Sequence, residues 1–305
     1  MNFEPILVVP GEPNSIFSEI FLKAVKNNKF KSPIILIGSK KIIIKQFKFF
    51  NSRIKINDLD LNKIKKKKFL YKKINLIDVD YDQIKTFDKI SSKSNKYIET
   101  CFNIAIELLK KKISKKLING PISKKYFLKN KFAGITEYLA NKTNSKNVAM
   151  IIYNQSLSVS PLTTHLPIKY ISKKITKSTI INKVKLINSF WKKQFKIIPK
   201  IAITGLNPHC ESFDNFDEDK KILKPSINLL KQLRYNVSGP FSADTIFLKD
   251  NRKKFDLIVG MYHDQVLAPV KTLFEYDAIN ITLGLPFFRI SPDHGPNEKM
   301  LGKNL

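Results

Sequence analysis

Three of the four histidines stand in the same kind of place, a short polar turn directly after an apolar, strand-like run. They are His165 in the string TTHLP, His209 in GLNPH and His263 in MYHDQ. Ligands of open α/β sheets bind at the carboxyl ends of strands, and three neutral imidazoles with one open position commonly form a catalytic divalent-metal site. Because the three are far apart in sequence, the spacing alone also allows unrelated turn histidines that bond to nearby backbone groups.

A group of residues suited to binding a phosphate follows the third of these histidines. Lys271, Asn280 and Arg289 come after it at intervals of eight, nine and nine residues. Arginine holds phosphate as a bidentate fork and lysine as a point charge. Arg289 is one of only four arginines among 55 basic residues, so its position is informative, whereas lysine is so frequent that Lys271 alone indicates little.

The segments around these residues alternate between strand-like and helix-like patterns, which is typical of an α/β protein with a largely parallel sheet. The strand-like runs are Pro5–Pro10, Pro33–Gly38, Lys116–Asn119, Val148–Tyr153, Lys200–Leu206, Phe255–Met261 and Ala278–Leu283. The helix-like stretches are Ser15–Asn28, Tyr97–Lys112, Lys177–Gln194, Asp217–Leu233 and Gln265–Phe274. We expect Pro225 to kink or divide the fourth of these stretches. Segment 51–95 is expected to form surface elements or a variable excursion.

The ten glycines exclude two familiar nucleotide-binding motifs. No two are spaced as GxG, and none precedes a lysine at Walker spacing. The Rossmann fingerprint and the P-loop both depend on such glycines. A bound nucleotide therefore requires another scaffold.

Composition narrows the class of protein further. At 305 residues and 43% hydrophobic, the chain can form one large domain or two intimately packed ones. No run reaches the roughly 18 apolar residues of a membrane span, and the first residues lack the features of a signal peptide. We therefore expect a cytoplasmic protein with no membrane contact, in which Cys101 and Cys210 are reduced thiols.

The formal net charge of +30 raises the question of a nucleic-acid partner. The lysines are scattered through all kinds of segment, a pattern that suggests a general codon bias toward lysine, isoleucine and asparagine. The densest run, Lys63–Lys73, is more simply explained as a solvated face. We expect no specific nucleic-acid partner.

Taken together, several strings of this sequence resemble the 4-hydroxythreonine-4-phosphate dehydrogenases of vitamin B6 synthesis. They are TTHLP, GLNPH, ADT (Ala243–Thr245), MYHDQ, INITLGLPFFR and DHG, in the family's order and near its spacing. PGEP at Pro10–Pro13 and NGP at Asn119–Pro121 resemble earlier landmarks of the same family. The resemblance covers almost the whole chain.

The resemblance implies a two-subdomain α/β/α architecture like that of isocitrate and isopropylmalate dehydrogenases. One subdomain is expected to comprise residues 1–125 and 262–305, the other residues 126–261, with the active-site cleft between them. It also implies a homodimer whose active site lies at the subunit interface.

The resemblance further implies roles for individual residues. The expected ligands of one divalent cation (zinc, magnesium, cobalt or manganese), contributed by both subunits, are His165, His209 and His263. The positions that match substrate-binding residues are Ile135, Thr136, Lys271, Asn280 and Arg289. Those expected to contact NAD or NADP are Asp244, Asp293, His294 and Gly295. The expected catalytic residues are Lys271, as the proton acceptor, and His209.

The reaction so implied is the NAD(P)-dependent oxidation of 4-phosphohydroxy-L-threonine to 2-amino-3-oxo-4-phosphooxybutanoate, followed by decarboxylation to 3-amino-2-oxopropyl phosphate. A metal lowers the pKa of the reacting hydroxyl and polarises the new carbonyl. Oxidation and decarboxylation therefore both require a divalent cation close to the residues that bind the phosphate.

The sequence departs from the family pattern at three loops. Gly134-Ile135-Thr136-Glu137 stands where the family has Gly-His-Thr-Glu, and a lost hydrogen-bond partner costs about 1–3 kcal/mol, or roughly 5- to 150-fold in affinity. Asn14–Ser18 replaces a glycine-rich turn, so we expect its backbone to follow the usual path less easily. Pro296–Lys299 lacks the usual small residue and acid.

Three alternative functions stay open at this point. Ile135 favours a dehydrogenase of a related four-carbon sugar-acid 4-phosphate, such as threonate or erythronate. A metallohydrolase with three histidines would show metal-dependent ester hydrolysis without a nicotinamide. A non-catalytic binding protein, for example for RNA, would contain no bound metal.

Overall fold

The computed structural model describes residues 3–27, 30–52, 54–66, 69–71, 73–129, 131–212 and 217–303. The chain divides into two compact units. Unit 1 comprises Met1–Ile135 and Pro286–Leu305, and unit 2 comprises Thr136–Leu285.

Unit 1 is built on parallel strands with helices between them. Its elements up to residue 119 are β1 (Ile6–Val9), α1 (Phe17–Asn27), β2 (Ile34–Gly38), α2 (Lys40–Phe49), β3 (Ile56–Asp58), β4 (Ile74–Asp78), α3 (Asn95–Lys110) and β5 (Lys116–Asn119). The central strands are runs of Ile, Leu and Val that are almost fully buried, as expected for strands covered on both faces.

Unit 2 begins with a short helix and continues through six strands. Its elements are α4 (Ile135–Lys142, which opens with the last residue of unit 1), β6 (Ala149–Tyr153), β7 (Ser158–Pro161), α5 (Lys177–Phe195), β8 (Ile201–Thr204), α6 (Lys224–Gln232), β9 (Val237–Phe241), α7 (Ala243–Ile246), α8 (Lys249–Arg252), β10 (Leu257–Gly260), α9 (His263–Phe274) and β11 (Ile279–Leu283). A capping box at Thr176 and Thr179 fixes the start of α5.

The chain then returns to unit 1 with its last strand, β12 (Phe288–Pro292). In unit 1 the strand order is β3-β4-β2-β1-β5-β12, and every pairing is parallel. In unit 2 the order is β11-β6-β7-β10-β8-β9. There β6 is antiparallel to both neighbours, whereas β7, β10, β8 and β9 run parallel to one another.

The predicted α/β class with a largely parallel sheet is confirmed. Each of the seven strand-like runs contains a strand, and the stretch Asp217–Leu233 is divided as expected, with α6 starting beside Pro225. The prediction for segment 51–95 was wrong in part, because the segment contains β4, a buried strand paired on both sides.

The two units differ from the predicted subdomains mainly at the second boundary. Residues 262–285, expected in the first subdomain, belong to unit 2. The reason is that α9 packs on β7 and β10, and β11 pairs with β6. Among the helices in the described ranges, none is both long enough and apolar enough to span a membrane.

Candidate functional site

Three neighbouring parallel strands of unit 2 each lead into a histidine. Strand β10 pairs with β7 on one side and β8 on the other, and all three run in the same direction. His165 follows β7, His263 follows β10 and His209 follows β8. Because the three strands are parallel neighbours, the loops that follow them lie at one edge of this unit, where ligands of parallel sheets bind.

Two of these histidines face each other. The ring centroids of His165 and His263 are 5.4 Å apart, with the ring planes inclined by 40°. His263 opens α9, and its Nδ1 lies 2.6 Å from Asp264 Oδ1. A carboxylate on one ring nitrogen is the usual way to fix the tautomer of a metal-binding histidine, and it leaves Nε2 for a ligand.

The His165 loop is tied to the end of β10 by backbone and side-chain hydrogen bonds. Leu162 N donates to Gly260 O at 2.7 Å, and Thr163 Oγ1 donates to Met261 O at 2.8 Å. These bonds hold the backbones before His165 and His263 together, while the His165 side chain itself is exposed. Their proximity is thus set by the main chain.

His209 lies in a strained turn. Both His209 and Cys210 have positive φ, 55° and 58°, a region that residues other than glycine occupy uncommonly. The fully buried carboxylate of Asp219 supports the turn, since it accepts from Leu206 N at 2.9 Å and from Asn207 N at 3.0 Å. Such strain clusters at functional sites, and the His209 ring is exposed.

The described residues fit a metal only in part. The paired imidazoles of His165 and His263 are suitable ligands for a divalent transition metal. No group of three or more His, Cys, Asp or Glu residues in the described ranges is arranged to hold a metal ion. His209 therefore does not complete the set within this conformation of one chain.

A second group of candidate residues surrounds β11 in unit 2. Asn280 and Thr282 point to the same face of this strand, because side chains two residues apart share a face. The hydroxyls of Thr282 and Thr136 lie 3.2 Å apart and are buried. Asn280 Oδ1 is buried with no hydrogen-bond partner among the described residues, and a ligand N–H or O–H would satisfy it.

A hydrogen bond joins this group to the histidines. Thr164 Oγ1 donates to Glu137 Oε1 at 3.0 Å. Thr164 precedes His165, and Glu137 follows Thr136 in the first turn of α4. The candidate substrate residue Thr136 and the candidate metal ligand His165 are thus held together through their neighbours, a contact that sequence reasoning did not find.

Lys271 lies on the same helix as His263, eight residues later. At about 1.5 Å per residue their Cα atoms are roughly 12 Å apart along the axis. Lys271 Nζ donates to Glu275 O at 3.3 Å, toward the C-terminal end of α9. A role as proton acceptor requires the Lys271 side chain to leave this contact and to point toward the N-terminal end of α9.

A buried lysine was also missed by sequence reasoning. Lys183 on α5 is only 8% exposed. Burial lowers the pKa of Lys183 to about 8, although the nearby Glu137 carboxylate acts in the opposite direction. In a chain so rich in lysine, nothing in the sequence distinguishes this one.

Arg289, the remaining candidate for phosphate binding, lies in unit 1 on β12 and is fully buried. Its Nε donates to Asn119 Oδ1 at 2.7 Å, and Asn119 Nδ2 donates to Gly120 O at 2.8 Å. Asn119 ends β5, which pairs with β12. The PGEP, NGP and FFR strings thus lie in adjacent strands and loops of this unit.

The loops after β1 and β5 approach each other so closely that only glycine fits. A Cβ on Gly11 would lie 2.4 Å from Pro121 O, and a Cβ on Gly120 would lie 2.0 Å from Pro10 O. Glu12 N donates to Pro121 O at 2.9 Å. Burial raises the pKa of the Glu12 carboxyl, against the hydrogen bonds from Asn14 N and Ser94 Oγ.

The turn that replaces the family's glycine-rich segment is held by side chains. Asn14 and Gln83 exchange two amide hydrogen bonds, at 3.2 and 2.9 Å, and Asn14 Oδ1 also accepts from Asp88 N at 2.8 Å. None of residues 14–18 has a positive φ. The backbone of this turn therefore does not require glycine.

The residues expected to contact a nicotinamide cofactor are distributed over both units. Asp293, His294 and Gly295 follow β12 in unit 1, and Pro296 O accepts from Ile16 N at 3.2 Å. A Cβ on Gly295 would meet nothing within 4 Å. Asp244 is exposed on α7 in unit 2.

A cavity of about 210 Å³ lies in unit 1 between α1 and the sheet. Its lining is almost entirely apolar and includes Phe17, Phe21 and Ile118. Such a lining does not suit a phosphorylated substrate, which needs charged or polar partners. The histidines and this cavity lie in different units.

Comparison with known proteins identifies a family that covers most of the chain. The profile of the family described as "Pyridoxal phosphate biosynthetic protein PdxA" matches residues 29–305. A 4-hydroxythreonine-4-phosphate dehydrogenase from a Sulfurihydrogenibium species is 39% identical over 305 residues, covering 98% of this chain and 92% of that protein. A D-threonate 4-phosphate dehydrogenase from Salmonella typhimurium is 28% identical, covering 97% of this chain and 92% of its own length.

Solved structures give the same result for the fold. The crystal structure of 4-hydroxythreonine-4-phosphate dehydrogenase from Klebsiella pneumoniae has a TM-score of 0.82 at 26% identity, covering 99% of this chain and 94% of that one. Isocitrate dehydrogenase from Methylococcus capsulatus has a TM-score of 0.51 at 8% identity, covering 99% and 80%; this shows a shared fold alone. The family profile matches most of the chain, and the 39% identical relative aligns with almost all of it. The chain therefore belongs to the family of pyridoxal phosphate biosynthetic proteins, PdxA.

Proposed function

We propose that this chain is a cytoplasmic, NAD- or NADP-dependent, metal-assisted 4-hydroxythreonine-4-phosphate dehydrogenase. It would oxidise the secondary alcohol of 4-phosphohydroxy-L-threonine to a ketone, with transfer of hydride to the nicotinamide and release of a proton. Loss of the neighbouring carboxylate as carbon dioxide would then give 3-amino-2-oxopropyl phosphate. The family and the 39% identical relative support this substrate.

One observation carries the proposal. The paired imidazoles of His165 and His263, 5.4 Å apart, are joined through Thr164 and Glu137 to Thr136. A metal-binding pair next to a substrate-binding hydroxyl is the arrangement that a metal-assisted alcohol oxidation needs.

The metal would be held by His165 and His263, with His209 supplied by a second copy of the chain. This homodimer follows from the resemblance of the chain to its family, which implies metal ligands from both subunits. A divalent cation bound there would lower the pKa of the substrate hydroxyl and polarise the ketone, and NAD or NADP would accept the hydride.

The protein's own residues would orient the substrate and accept its proton. Thr136 and Asn280 would donate or accept hydrogen bonds to the phosphorylated substrate, and the buried Oδ1 of Asn280 supports a ligand donor there. Lys271 would turn away from Glu275 O and accept the hydroxyl proton. Arg289 would provide the bidentate partner of the phosphate.

The cofactor would be bound by residues outside any Rossmann fingerprint. Asp293, His294 and Gly295 would contact the adenosine part, and Asp244 is a further candidate. The open space beside Gly295 supports close approach of a ligand to the backbone.

D-threonate 4-phosphate is the second candidate substrate. It carries a hydroxyl where 4-phosphohydroxy-L-threonine carries an ammonium group. The Salmonella typhimurium relative of this name supports it, and so does Ile135, which offers no hydrogen bond at the start of α4. The lower identity of 28%, against 39%, favours the amino acid substrate.

The test is a comparison of the two phosphorylated substrates with the purified full chain. Reduction of NAD and of NADP is followed with each, in the presence of Zn²⁺, Mg²⁺, Co²⁺ or Mn²⁺ and after treatment with a chelator. We expect the larger kcat/KM with 4-phosphohydroxy-L-threonine, activity lost with chelator and restored by metal. No nicotinamide reduction with either substrate at any metal would overturn the proposal.

A further inference from the structure

Gln265 connects the ends of two neighbouring strands through its side-chain amide. The residue lies in the first turn of α9, two positions after His263. Its Oε1 accepts from Thr204 Oγ1 at 2.8 Å and from Met261 N at 2.7 Å, and its Nε2 donates to Gly205 O at 2.8 Å. Thr204 ends β8, and Met261 follows β10.

These hydrogen bonds fix the point at which the His209 loop leaves its strand. Gly205 begins the string that leads to His209, and Asp219 holds the next two residues through Leu206 N and Asn207 N. The loop therefore has two anchors. Asp219 binds the backbone of the loop through Leu206 N and Asn207 N. Gln265 binds Gly205 O and so joins the start of the loop to α9, the helix that begins at His263.

The residues around the side-chain amide of Gln265 leave space for it. A Cβ on Gly260 would lie 3.1 Å from Gln265 Oε1 and 2.3 Å from Val266 Cγ1, so glycine at the end of β10 leaves room for the first turn of α9. Thr204 and Met261 are fully buried. Hydrogen bonds in such places are costly to lose, because no water replaces them.

Only an amide satisfies all of these groups at once. Its oxygen accepts from two donors while its nitrogen donates to a carbonyl. In Gln265→Glu a carboxylate oxygen would face Gly205 O, and two acceptors repel each other. In Gln265→Met the shape is kept, but Thr204 Oγ1, Met261 N and Gly205 O all lose this partner.

We propose that Gln265 is a positioning residue of the two metal centres of the proposed dimer. Within one chain it sets the place of the His209 loop, which would serve the metal of the second copy, relative to the helix that begins at His263, which would bind the chain's own metal. This rests on the proposed function, in which both histidines bind metal. Gln265 itself touches neither the metal nor the substrate. It acts through the backbone on each side, at Gly205 and at Met261.

The consequence is measurable as metal affinity. Partners that orient metal ligands typically account for about 10- to 100-fold in affinity. We expect the dissociation constant for Co²⁺ alone to rise by about that factor in Gln265→Glu, with a changed visible absorption spectrum of bound Co²⁺. Thr204→Val, which removes one donor to Oε1 and keeps the shape, should give a smaller rise of the same kind.

The experiment titrates Co²⁺ and Zn²⁺ into the purified full chain and the variants, without substrate or nicotinamide. The matched control is Gln232→Glu, at an exposed glutamine that ends α6, and it should bind metal like the wild type. Thermal unfolding of each metal-free protein, together with its sedimentation behaviour, identifies any variant that fails to fold or to assemble. If Gln265→Glu does not fold, Thr204→Val and the milder Gln265→Asn decide the question.

The possible results separate the two proposals. If the wild type binds Co²⁺ and folded Gln265 variants bind it equally well with the same spectrum, the role of Gln265 is refuted and the proposed function is unaffected. If the wild type binds no divalent metal, both fail. A weaker, spectrally altered Co²⁺ site in the variants, with metal-free stability near that of the wild type, supports the positioning role.

Discussion

The three histidine loops of unit 2 and the buried cluster around Arg289 in unit 1 hold their polar groups in opposite ways. His165 and His209 are exposed, His263 is partly exposed, and the hydrogen bonds that place them go mainly to the backbone of their loops. Arg289 and Asn119 are almost fully buried and bond to each other directly. We call the first group the histidine edge and the second the arginine cluster.

The difference has a physical origin. Imidazole rings tolerate water, so histidines can lie exposed at a surface and bind a metal there. A guanidinium is always charged, and its burial is tolerated only when the fold provides partners. Changes at the histidine edge should therefore affect binding and leave the fold intact, whereas changes in the arginine cluster should affect the fold first.

The sharpest test of this comparison is His263→Ala. We expect loss of Co²⁺ binding and a fall in kcat/KM of at least about a thousandfold, or ~4 kcal/mol. The free energy of unfolding should change by less than about 0.5 kcal/mol, as for other surface substitutions. Metal titration, nicotinamide reduction and urea unfolding measure the three quantities.

The control for this variant is Lys169→Ala, at an exposed position in the segment after His165. It should leave all three quantities unchanged. A His263→Ala protein that retained metal-dependent activity would remove the histidine edge from the mechanism.

Arg289→Lys tests the other half of the comparison. The substitution keeps the charge but removes the Nε donor to Asn119 Oδ1 and places a more strongly hydrated ammonium in a buried position. We expect the free energy of unfolding to fall by about 3 kcal/mol, measured by urea unfolding without ligand.

The matched control is Arg234→Lys, at an exposed arginine, with an expected change below about 0.5 kcal/mol. If Arg289→Lys and the wild type unfolded at the same urea concentration, the hydrogen bonds of the arginine cluster would not stabilise the fold.

The sequence predicts some of the strands around both regions and misses others. Runs of Ile, Leu and Val located β1, β2, β8 and β10, because buried parallel strands are apolar on both faces. Strands β3 and β4 were not predicted in segment 51–95. Strands β7, β9 and β12 were also missed. They contain Ser and Pro, a Gly-Pro pair and Arg289 respectively, and so do not read as apolar runs.

The candidate site shows the same limit. The sequence located the strands before His209 and His263 and missed β7, the strand before His165. The adjacency of β7, β10 and β8 is a property of the sheet, which spacing along the chain does not contain. The contacts of Gln265 with Thr204 and of Thr164 with Glu137 span 61 and 27 residues. Glutamine, threonine and glutamate are ordinary residues, so only coordinates reveal such pairs.

Lys183 offers a third test, because it is a buried cation outside both regions. Its pKa in the folded protein is about 8, below the ordinary 10.5. Between these values the unfolded chain binds more protons than the folded one, so stability rises with pH across that window. Below about pH 8 the full cost of burying the ammonium is present.

We expect the free energy of unfolding of the wild type to rise by roughly 2–3 kcal/mol from pH 7.5 to 10.5, relative to Lys183→Met. Lys192→Met, at an exposed position on the same helix, should follow the wild type at every pH. Parallel curves for the wild type and Lys183→Met would mean that this lysine is charged or solvated in the same way in both states.

Ile135→His should have the smallest effect of these variants. It tests whether the first residue of α4 contacts the substrate near the histidine edge. The variant restores the histidine that the family pattern has before Thr136, and a recovered hydrogen bond to substrate is worth about 1–3 kcal/mol. We expect KM for 4-phosphohydroxy-L-threonine to fall by roughly tenfold, with kcat little changed, because the contact is made equally in the ground and transition states.

Ile135→Phe, similar to histidine in shape but without its polar nitrogens, is the matched control and should not lower KM. Equal KM values for all three proteins would show that this position does not face substrate, and the link through Glu137 and Thr164 would then be purely structural.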